Sequence, residues 1–375
     1  MASWPARGNV DYSPPTRPGL QARLSSLDSA LSRIVNGGQL EQLKTKAVRS
    51  FTVHRPAPSV RRFKRRPRDL LKRASLFESE VSRVMLVDLS SYDLILVNES
   101  GGKDSQAMLT HVVGLCDAAG IDRWRIVVVH ADLGRVEWRG TRELAELHAK
   151  AYGLRFEAVS RSEDLLDQVI SRRAALDRAA DKLEAEGKPD EAAKKRNAPA
   201  WMSMSARYCT SDQKTSQVKK LMTRLVVEHR TRNPGTVFRP VRILNCLGLR
   251  KQESPARSKK PEFEVDKSAT NGKRHVDRWL PIFGWSTEQV WSKIRQSGLP
   301  HHPAYDAGMP RASCVFCIGA GREQLVLAAR LHPELAAEYL AVEQRVGHSF
   351  KPGLSMARII ELSSAAQVGT QDETA

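Results

Sequence analysis

A run of six residues, 100–105, with the sequence SGGKDS, has the types and spacing needed to hold a phosphate group. Gly101 and Gly102 carry no side chain, so the backbone can approach a ligand closely there and adopt unusual dihedral angles. Lys103 adds a positive charge, and the serines at the two ends add hydroxyl donors. A helix beginning here would also present free N–H groups to the anion. The predicted nucleotide contacts are Ser100, Gly101, Gly102, Lys103, Asp104 and Ser105.

This loop differs from the two best-known phosphate loops. A Walker A loop requires Ser or Thr after its lysine, where Asp104 stands, and a glycine where Val97 stands. The spacing is also not that of the dinucleotide motif GxGxxG. Because bare phosphate repels a carboxylate, Asp104 predicts a bridging Mg²⁺. The pattern therefore predicts a nucleotide phosphate and Mg²⁺ in a loop of another type.

Apolar periodicity predicts the elements that position this loop. Asp93–Asn98 is a short apolar run typical of a buried parallel strand, and residues 106–120 have apolar residues at helical spacing. Further strands are predicted over 125–134, 155–160 and 241–250, and further helices begin near Thr141 and near Ser286 or Thr287. The alternation of strand and helix predicts an α/β fold with a doubly wound parallel sheet of the Rossmann-like kind.

Loops at the carboxyl ends of such strands converge on one ligand site. Arg250 and Arg257 follow the strand predicted at 241–250, and their guanidinium groups could clamp phosphate or sulfate oxygens. A solvated loop in a basic protein is the alternative for both. Glu253 could orient Arg250 or a ribose hydroxyl. Asp132 is predicted to touch metal or ribose, or to be a turn residue, and His130 to be a core or supporting histidine. Catalysis is assigned to Lys103, Asp104, Arg250 and Glu253.

The cysteines form a second group of residues that could carry chemistry. Cys314 and Cys317 make a CxxC pair, and Cys209 lies in the segment RYCT. Thiolates at such spacing are shared by zinc sites, iron–sulfur sites and redox pairs. The predicted ligand set for a [4Fe–4S] cluster or Zn²⁺ is Cys209, Cys246, Cys314 and Cys317.

The fourth metal ligand stays open at the level of sequence. Cys246 ends an apolar strand and could be a ligand or a small buried hydrophobe. His301 and His302 are alternatives close to the CxxC pair. Cys116 lies on the apolar face of the first predicted helix and is predicted to be a core residue.

The overall charge points to polyanionic partners. The chain has 60 Lys and Arg against 42 Asp and Glu, a formal net charge of +18, and residues 61–73 are densely basic. Nucleic acid is the predicted partner, and a merely solvated basic surface is the alternative. No apolar run approaches the ~20 residues of a membrane-spanning helix. The N-terminal residues lack a signal-peptide pattern, so a cytoplasmic location and no membrane partner are expected.

Changes in composition predict the domain organisation. The segments are a basic, largely disordered extension (1–90) with one helix over Leu27–Val48, a nucleotide-binding core (91–257), a C-terminal region with the CxxC pair (258–362), and a disordered tail (363–375). A charged stretch inside the core, about 162–197, is predicted to be a solvent-exposed helical insertion.

The chain resembles the PP-loop ATP pyrophosphatases, whose signature is SGGxDS after the first strand. Within that superfamily it is most similar to the phosphoadenosine phosphosulfate reductase-like branch. The segments that carry the likeness are HADLG at 130–134, RYCTSDQK at 207–214, LGLRKQESPAR at 247–257, RWLPIFGW at 278–285 and CVFC at 314–317. The resemblance implies an adenine nucleotide alpha hydrolase-like fold that binds ATP and splits it between the α- and β-phosphates.

The resemblance also implies a reaction. An acceptor becomes adenylated and then receives sulfur, as in the sulfur-transfer ATPase of DNA phosphorothioation systems. DNA or tRNA would be the acceptor, and a protein such as a cysteine desulfurase would donate the sulfur. A sulfonucleotide reductase is the first alternative, although such reductases use a late cysteine and no cysteine follows Cys317. A non-catalytic nucleic-acid-binding protein on the same fold is the second.

Overall fold

The computed structural model describes residues 87–368, with side chains for residues 87–365. Its centre is a six-stranded sheet in the order β3-β2-β1-β4-β6-β5. The strands are β1 (Leu94–Asn98), β2 (Ile126–Ala131), β3 (Arg155–Val159), β4 (Val241–Leu247), β5 (Phe263–Val265) and β6 (Arg274–Trp279). All neighbouring pairs are parallel except β5 and β6, which are antiparallel.

Helices connect the strands, and further helices come after the last strand in the chain. Their bounds are α1 (Lys103–Ala118), α2 (Thr141–Ala151), α3 (Leu165–Ala185), α4 (Pro189–Arg196), α5 (Tyr208–Thr210), α6 (Ser216–Arg232), α7 (Pro255–Ser258), α8 (Thr287–Ser297), α9 (Arg322–Leu331), α10 (Pro333–Val346) and α11 (Met356–Val368). A π-helical turn, Ser211–Thr215, joins α5 to α6, and short 3₁₀ turns occur in the loops. Within the described residues no helix is both long and apolar enough to cross a membrane.

Both faces of the sheet are covered, so its central strands are apolar without interruption. Ile95 and Val97 point to one face, where they pack with residues of α1, α2 and α8. Leu94 and Leu96 point to the other face, which α6 covers. Strands buried on both faces read as continuous apolar runs. The predicted doubly wound α/β fold is therefore confirmed, including the strands predicted at the four positions.

A third apolar cluster joins the C-terminal helices to α3. Its largest buried side chains include Phe316, Tyr339 and Phe350. Leu166 and Val169 of α3 are fully buried in the same cluster. The charged stretch near 162–197 is therefore helical as predicted, but the prediction that it is solvent-exposed is wrong for the first turns of α3.

The sequence also predicts a disordered tail at 363–375 and a largely disordered extension at 1–90. The last helix continues to Val368, so residues 363–368 are helical, and the predicted disordered tail is wrong for that part. Residues 369–375 lie outside the described residues. So do residues 1–86, including the helix predicted over Leu27–Val48 and the basic run at 61–73.

Candidate functional site

The glycine loop turns sharply between β1 and α1. Gly101 has a φ of 74°, in the left-handed region that a residue with a Cβ rarely adopts. A Cβ built on Gly101 would also lie 2.8 Å from Thr141 Cγ2. Gly102 is extended, and α1 begins directly after it at Lys103. The backbone geometry thus requires glycine at 101, and the loop ends at a helix N-terminus.

The loop after β4 packs directly on the start of α1. A Cβ on Gly248 would lie 2.9 Å from both the Cα and the backbone N of Ser105. Asn98, at the end of β1, donates to Asn245 Oδ1 at 2.7 Å and to the Cys246 carbonyl at 2.9 Å. The chain leaves β1 and β4 on opposite sides, so the two loops meet at the switch point of the sheet, where ligands of such folds bind.

A buried ion pair connects these two loops. Arg250 Nε lies 2.5 Å from Asp104 Oδ1, and the side chains are only 5% and 16% exposed. Lys103 Nζ is 3.7 Å from the other oxygen of Asp104. Burial lowers the pKa of Lys103, and the Asp104 carboxylate opposes that effect. Asp104, Lys103 and Arg250 are therefore one electrostatic unit.

Glu253 organises the remaining cations. Its carboxylate accepts a hydrogen bond of 2.9 Å from the backbone N of Arg250. It also pairs with Arg257 and, at 2.8 Å, with Arg311. Four cationic side chains thus surround two carboxylates beside the glycine loop. Sequence reasoning missed Arg311, because it lies in a different segment near the CxxC pair.

A C-terminal segment lies over the loop. The Tyr305 hydroxyl accepts from the backbone N of Lys103 at 2.8 Å, and Lys103 Nζ donates to the Pro310 carbonyl at 3.0 Å. The Ala312 carbonyl lies 3.1 Å from a Cβ built on Gly102. Burial raises the pKa of Tyr305 to about 12, so its hydroxyl is neutral. Phosphate oxygens reaching the Lys103 amide must therefore replace the Tyr305 hydroxyl.

Two residues predicted near the nucleotide have other partners in this structure. Asp132 accepts from the backbone N of Gly134 at 2.8 Å and faces Arg142 at 3.3 Å, so it has the contacts of a turn residue. His130 is fully buried, with Nδ1 2.9 Å from the Glu99 carbonyl and Nε2 3.1 Å from Glu137. The structure thus places His130 in a supporting position.

The Mg²⁺ prediction depends on the surroundings of the two carboxylate oxygens of Asp104. One of its oxygens accepts from Arg250, and the other faces Lys103. A Mg²⁺ ligand needs an oxygen that is free to replace water. In the described arrangement Oδ1 is engaged by Arg250, while Oδ2 lies 3.7 Å from Lys103 Nζ, beyond hydrogen-bond distance, and the Mg²⁺ site stays a prediction.

Three of the predicted metal ligands lie in the third apolar cluster. Cys209, Cys314 and Cys317 are partly buried against it. Burial raises the pKa of Cys314 to about 12, an effect that the neighbouring Lys214 opposes. Burial also lowers the pKa of Lys214, but the nearby thiols and Glu137 more than compensate and leave it raised.

The fourth predicted ligand is elsewhere. Cys246 is fully buried beside Cys116 in the cluster beneath α1, so its inclusion in the metal set is wrong. His302 uses one ring nitrogen toward Thr141 and the other toward the Ala304 amide, and His301 faces Asp306. Within residues 87–368 no group of three or more His, Cys, Asp or Glu side chains is arranged to hold a metal ion. The donor set does not fit a four-ligand cluster.

The glycine loop and the clustered cations lie at the switch point of a parallel sheet, the position at which doubly wound α/β folds bind their ligands. The chain belongs to the phosphoadenosine phosphosulfate reductase domain family, whose model matches residues 95–320. The predicted family is confirmed.

Individual relatives match shorter stretches. An uncharacterized 37.8 kDa protein of Escherichia phage 186 is 35% identical over 108 residues, 29% of this chain and 31% of that protein. An adenosine 5'-phosphosulfate reductase of Neisseria meningitidis is 33% identical over 70 residues, 19% of this chain and 27% of that enzyme. The chain thus spans about a third or less of the length of these curated relatives.

Solved structures with a related arrangement are more distant in sequence. The phosphoadenylyl-sulfate reductase of Candida auris, solved as a phosphate complex, is 15% identical with a TM-score of 0.35, covering 67% of this chain and 97% of that one. The FMN adenylyltransferase of Candida glabrata, solved with FMN and an ATP analogue, is 11% identical with a TM-score of 0.39, covering 66% of this chain and 64% of that one.

Proposed function

We propose that this protein is an ATP pyrophosphatase that adenylates a nucleic-acid acceptor, DNA or tRNA, for sulfur transfer. The observation that carries the proposal is the convergence of four cationic side chains on a glycine loop at a helix N-terminus. A single phosphate needs fewer charges than this. A departing pyrophosphate carries more negative charge than one phosphate and gains further charge during the reaction, so a cluster of cations suits it.

The residues have separate roles in this mechanism. The acceptor oxygen attacks the α-phosphorus, the bond from that phosphorus to the bridging oxygen breaks, and pyrophosphate leaves with the electron pair. Lys103 and the free N–H groups of α1 stabilise the leaving group. Arg257 and Arg311 neutralise its outer oxygens, and Glu253 holds both in place. Asp104 keeps Arg250 against the loop. The terminal sulfur of a donor persulfide then attacks the adenylated atom of the acceptor and AMP leaves, and a thiol reductant cleaves the remaining S–S bond, forming a disulfide with the donor.

Two facts support the choice of acceptor and of sulfur chemistry. The formal net charge of +18 favours a polyanionic partner. Relatives that match the chain bear the name adenosine 5'-phosphosulfate reductase, which names a sulfur-carrying nucleotide as the substrate of those proteins. A protein such as a cysteine desulfurase is the proposed sulfur donor.

The test is release of pyrophosphate from ATP, measured with and without added DNA or tRNA. We expect release that depends on the acceptor, and a loss of about 10²–10³-fold in rate for Lys103→Ala, the scale for removing one transition-state donor. Asp104→Ala should reduce the rate as well, because it releases Arg250 from the loop.

The matched control is Lys150→Ala, an exposed lysine of α2 that pairs with Glu146 on the surface. Its rate should equal that of the wild type. Release of orthophosphate in place of pyrophosphate, or equal rates for the Lys103 and Lys150 variants, would refute the proposal.

A second candidate function is sulfonucleotide reduction, which the names of the matching relatives favour. The same cations could hold the phosphate and sulfate groups of adenosine 5'-phosphosulfate. Sulfite formation from that compound with a thiol reductant, in the absence of ATP, would establish this function in place of ATP cleavage.

A further inference from the structure

A buried carboxylate lies directly beneath the glycine loop. Glu99 is 1% exposed, and one of its oxygens, Oε1, accepts both the backbone N–H of Gly101 and the hydroxyl of Ser105 at 2.8 Å. The other oxygen, Oε2, has no hydrogen-bond partner within the described part of the chain. Glu99 therefore fixes two groups of the loop from below while half of its carboxylate is unsatisfied.

A buried histidine, His148, turns its Nδ1 toward this carboxylate, and in a neutral ring that nitrogen would be an acceptor. His148 Nε2 lies 2.9 Å from the Pro300 carbonyl. A carbonyl oxygen can only accept, so Nε2 carries the proton and Nδ1 is bare in neutral His148. Nδ1 has no hydrogen-bond partner among residues 87–365 and lies 3.9 Å from Glu99 Oε1. Two acceptors thus face each other in a buried site.

A third acceptor adds to the imbalance. Gln106, 1% exposed, donates its Nε2 to the same Pro300 carbonyl at 3.0 Å. Its Oε1 is buried and without a partner in the described structure. Acceptors without donors are costly in a protein interior, and a proton on His148 Nδ1 would remove one of them.

We propose that His148 carries a second proton, on the Nδ1 that faces the Glu99 carboxylate beneath the glycine loop, and that a polyphosphate bound to the loop strengthens the retention of this proton. The second half of the proposal rests on the proposed function. The added proton turns two facing acceptors into an ion pair, and the negative charge of a polyphosphate bound to the loop makes the loss of that proton from His148 more costly. Glu99 is a positioning residue, since it acts on a ligand through Gly101 and Ser105.

The surrounding groups agree with this assignment. Burial by itself lowers the pKa of His148, and the carboxylate of Glu99 raises it above its usual value. His130 contacts the Glu99 carbonyl and is paired with Glu137. Burial lowers the pKa of His302 to about 4, so His302 stays neutral, and Tyr152 stays neutral because burial raises its pKa.

The first experiment follows the histidine ring by NMR as pH is raised. The His148 signal is assigned by its disappearance in His148→Gln, and the titration is repeated in Glu99→Gln. We expect the titration midpoint of His148 to fall by at least one pH unit in Glu99→Gln, because the amide cannot hold the second proton. His275→Gln, which removes a half-exposed histidine of β6, should leave the midpoint unchanged.

Equal midpoints in the wild type and Glu99→Gln would overturn the pairing of protonated His148 with Glu99. A second experiment measures proton uptake when inorganic pyrophosphate binds, by calorimetry in two buffers with different enthalpies of ionisation. Uptake should be greater in the wild type and in His275→Gln than in Glu99→Gln or His148→Gln. Protonation of pyrophosphate itself is common to all four proteins and cancels.

The two experiments separate the two claims. If pyrophosphate does not bind the wild type, the proposed function fails. The NMR titration still decides whether His148 is protonated against Glu99. If pyrophosphate binds with equal proton uptake in all four proteins, the coupling to the loop is refuted. A variant that only loosened the structure would weaken binding without changing the number of protons taken up.

Discussion

Replacing Asp104 by Ala tests whether this residue is an ion-pair partner or an open metal ligand. Asp104 Oδ1 lies 2.5 Å from Arg250 Nε, and both side chains are largely buried. Removing one member of a buried pair leaves an uncompensated charge, at a cost of roughly 3–5 kcal/mol in the free energy of unfolding. Arg250 also donates to the Trp285 carbonyl at 3.3 Å, which softens the loss. We therefore expect the lower end, about 3 kcal/mol.

Two further variants complete the measurement. Asp104→Asn keeps an oxygen that can accept from Arg250, so we expect it to cost about half as much as Asp104→Ala. The double variant Asp104→Leu with Arg250→Met removes both charges and fills the volume, and should lie within about 1–2 kcal/mol of the wild type. The free energies come from urea unfolding followed by tryptophan fluorescence and circular dichroism.

The control is Glu146→Ala, which breaks an exposed pair with Lys150 and should change stability by less than about 1 kcal/mol. If Asp104→Ala unfolds with the same free energy as the wild type, the buried pair does not form. Asp104 would then be free to bind a metal ion, and the roles given to it and to Arg250 would be wrong.

Two other substitutions probe how the loop is enclosed. Gly248→Ala places a Cβ 2.9 Å from the backbone of Ser105 and should cost roughly 1–3 kcal/mol in urea unfolding, whereas Gly284→Ala, with open space around it, should cost less than Gly248→Ala. Equal costs would contradict the close approach. Tyr305→Phe frees the backbone N–H of Lys103 and should tighten pyrophosphate binding about fivefold, equivalent to ~1 kcal/mol, in calorimetry. Weaker binding would show that the hydroxyl contacts the ligand itself.

The fold was predictable because its signals are local. The apolar runs of the four strands predicted along the chain reflect burial on both faces of the sheet, a property of each run by itself. Gly101 and Gly102 marked the turn into α1 for the same reason, because a left-handed φ and a close approach leave no other residue type unstrained. The exposed insertion failed as a prediction because charge on one face of α3 concealed the apolar residues on the other.

The cysteines show where local signals end. CxxC spacing places Cys314 near Cys317 in any fold, but nothing in sequence relates Cys209 or Cys246 to them. In the structure Cys209 joins that cluster, while Cys246 lies with Cys116 beneath α1. The difference depends on which layer of the fold each segment enters, and that is decided by packing over the whole domain.

By itself, then, the sequence determined the glycine loop between strand and helix, the parallel α/β sheet and the family. The tertiary structure decided which distant groups act on the loop. Arg250 pairs with Asp104, Tyr305 covers the Lys103 amide, and His148 faces the buried carboxylate below. These pairs are separated by tens to hundreds of residues and have no periodicity in common. Their contact exists only because the strands bring the loops to one edge of the sheet.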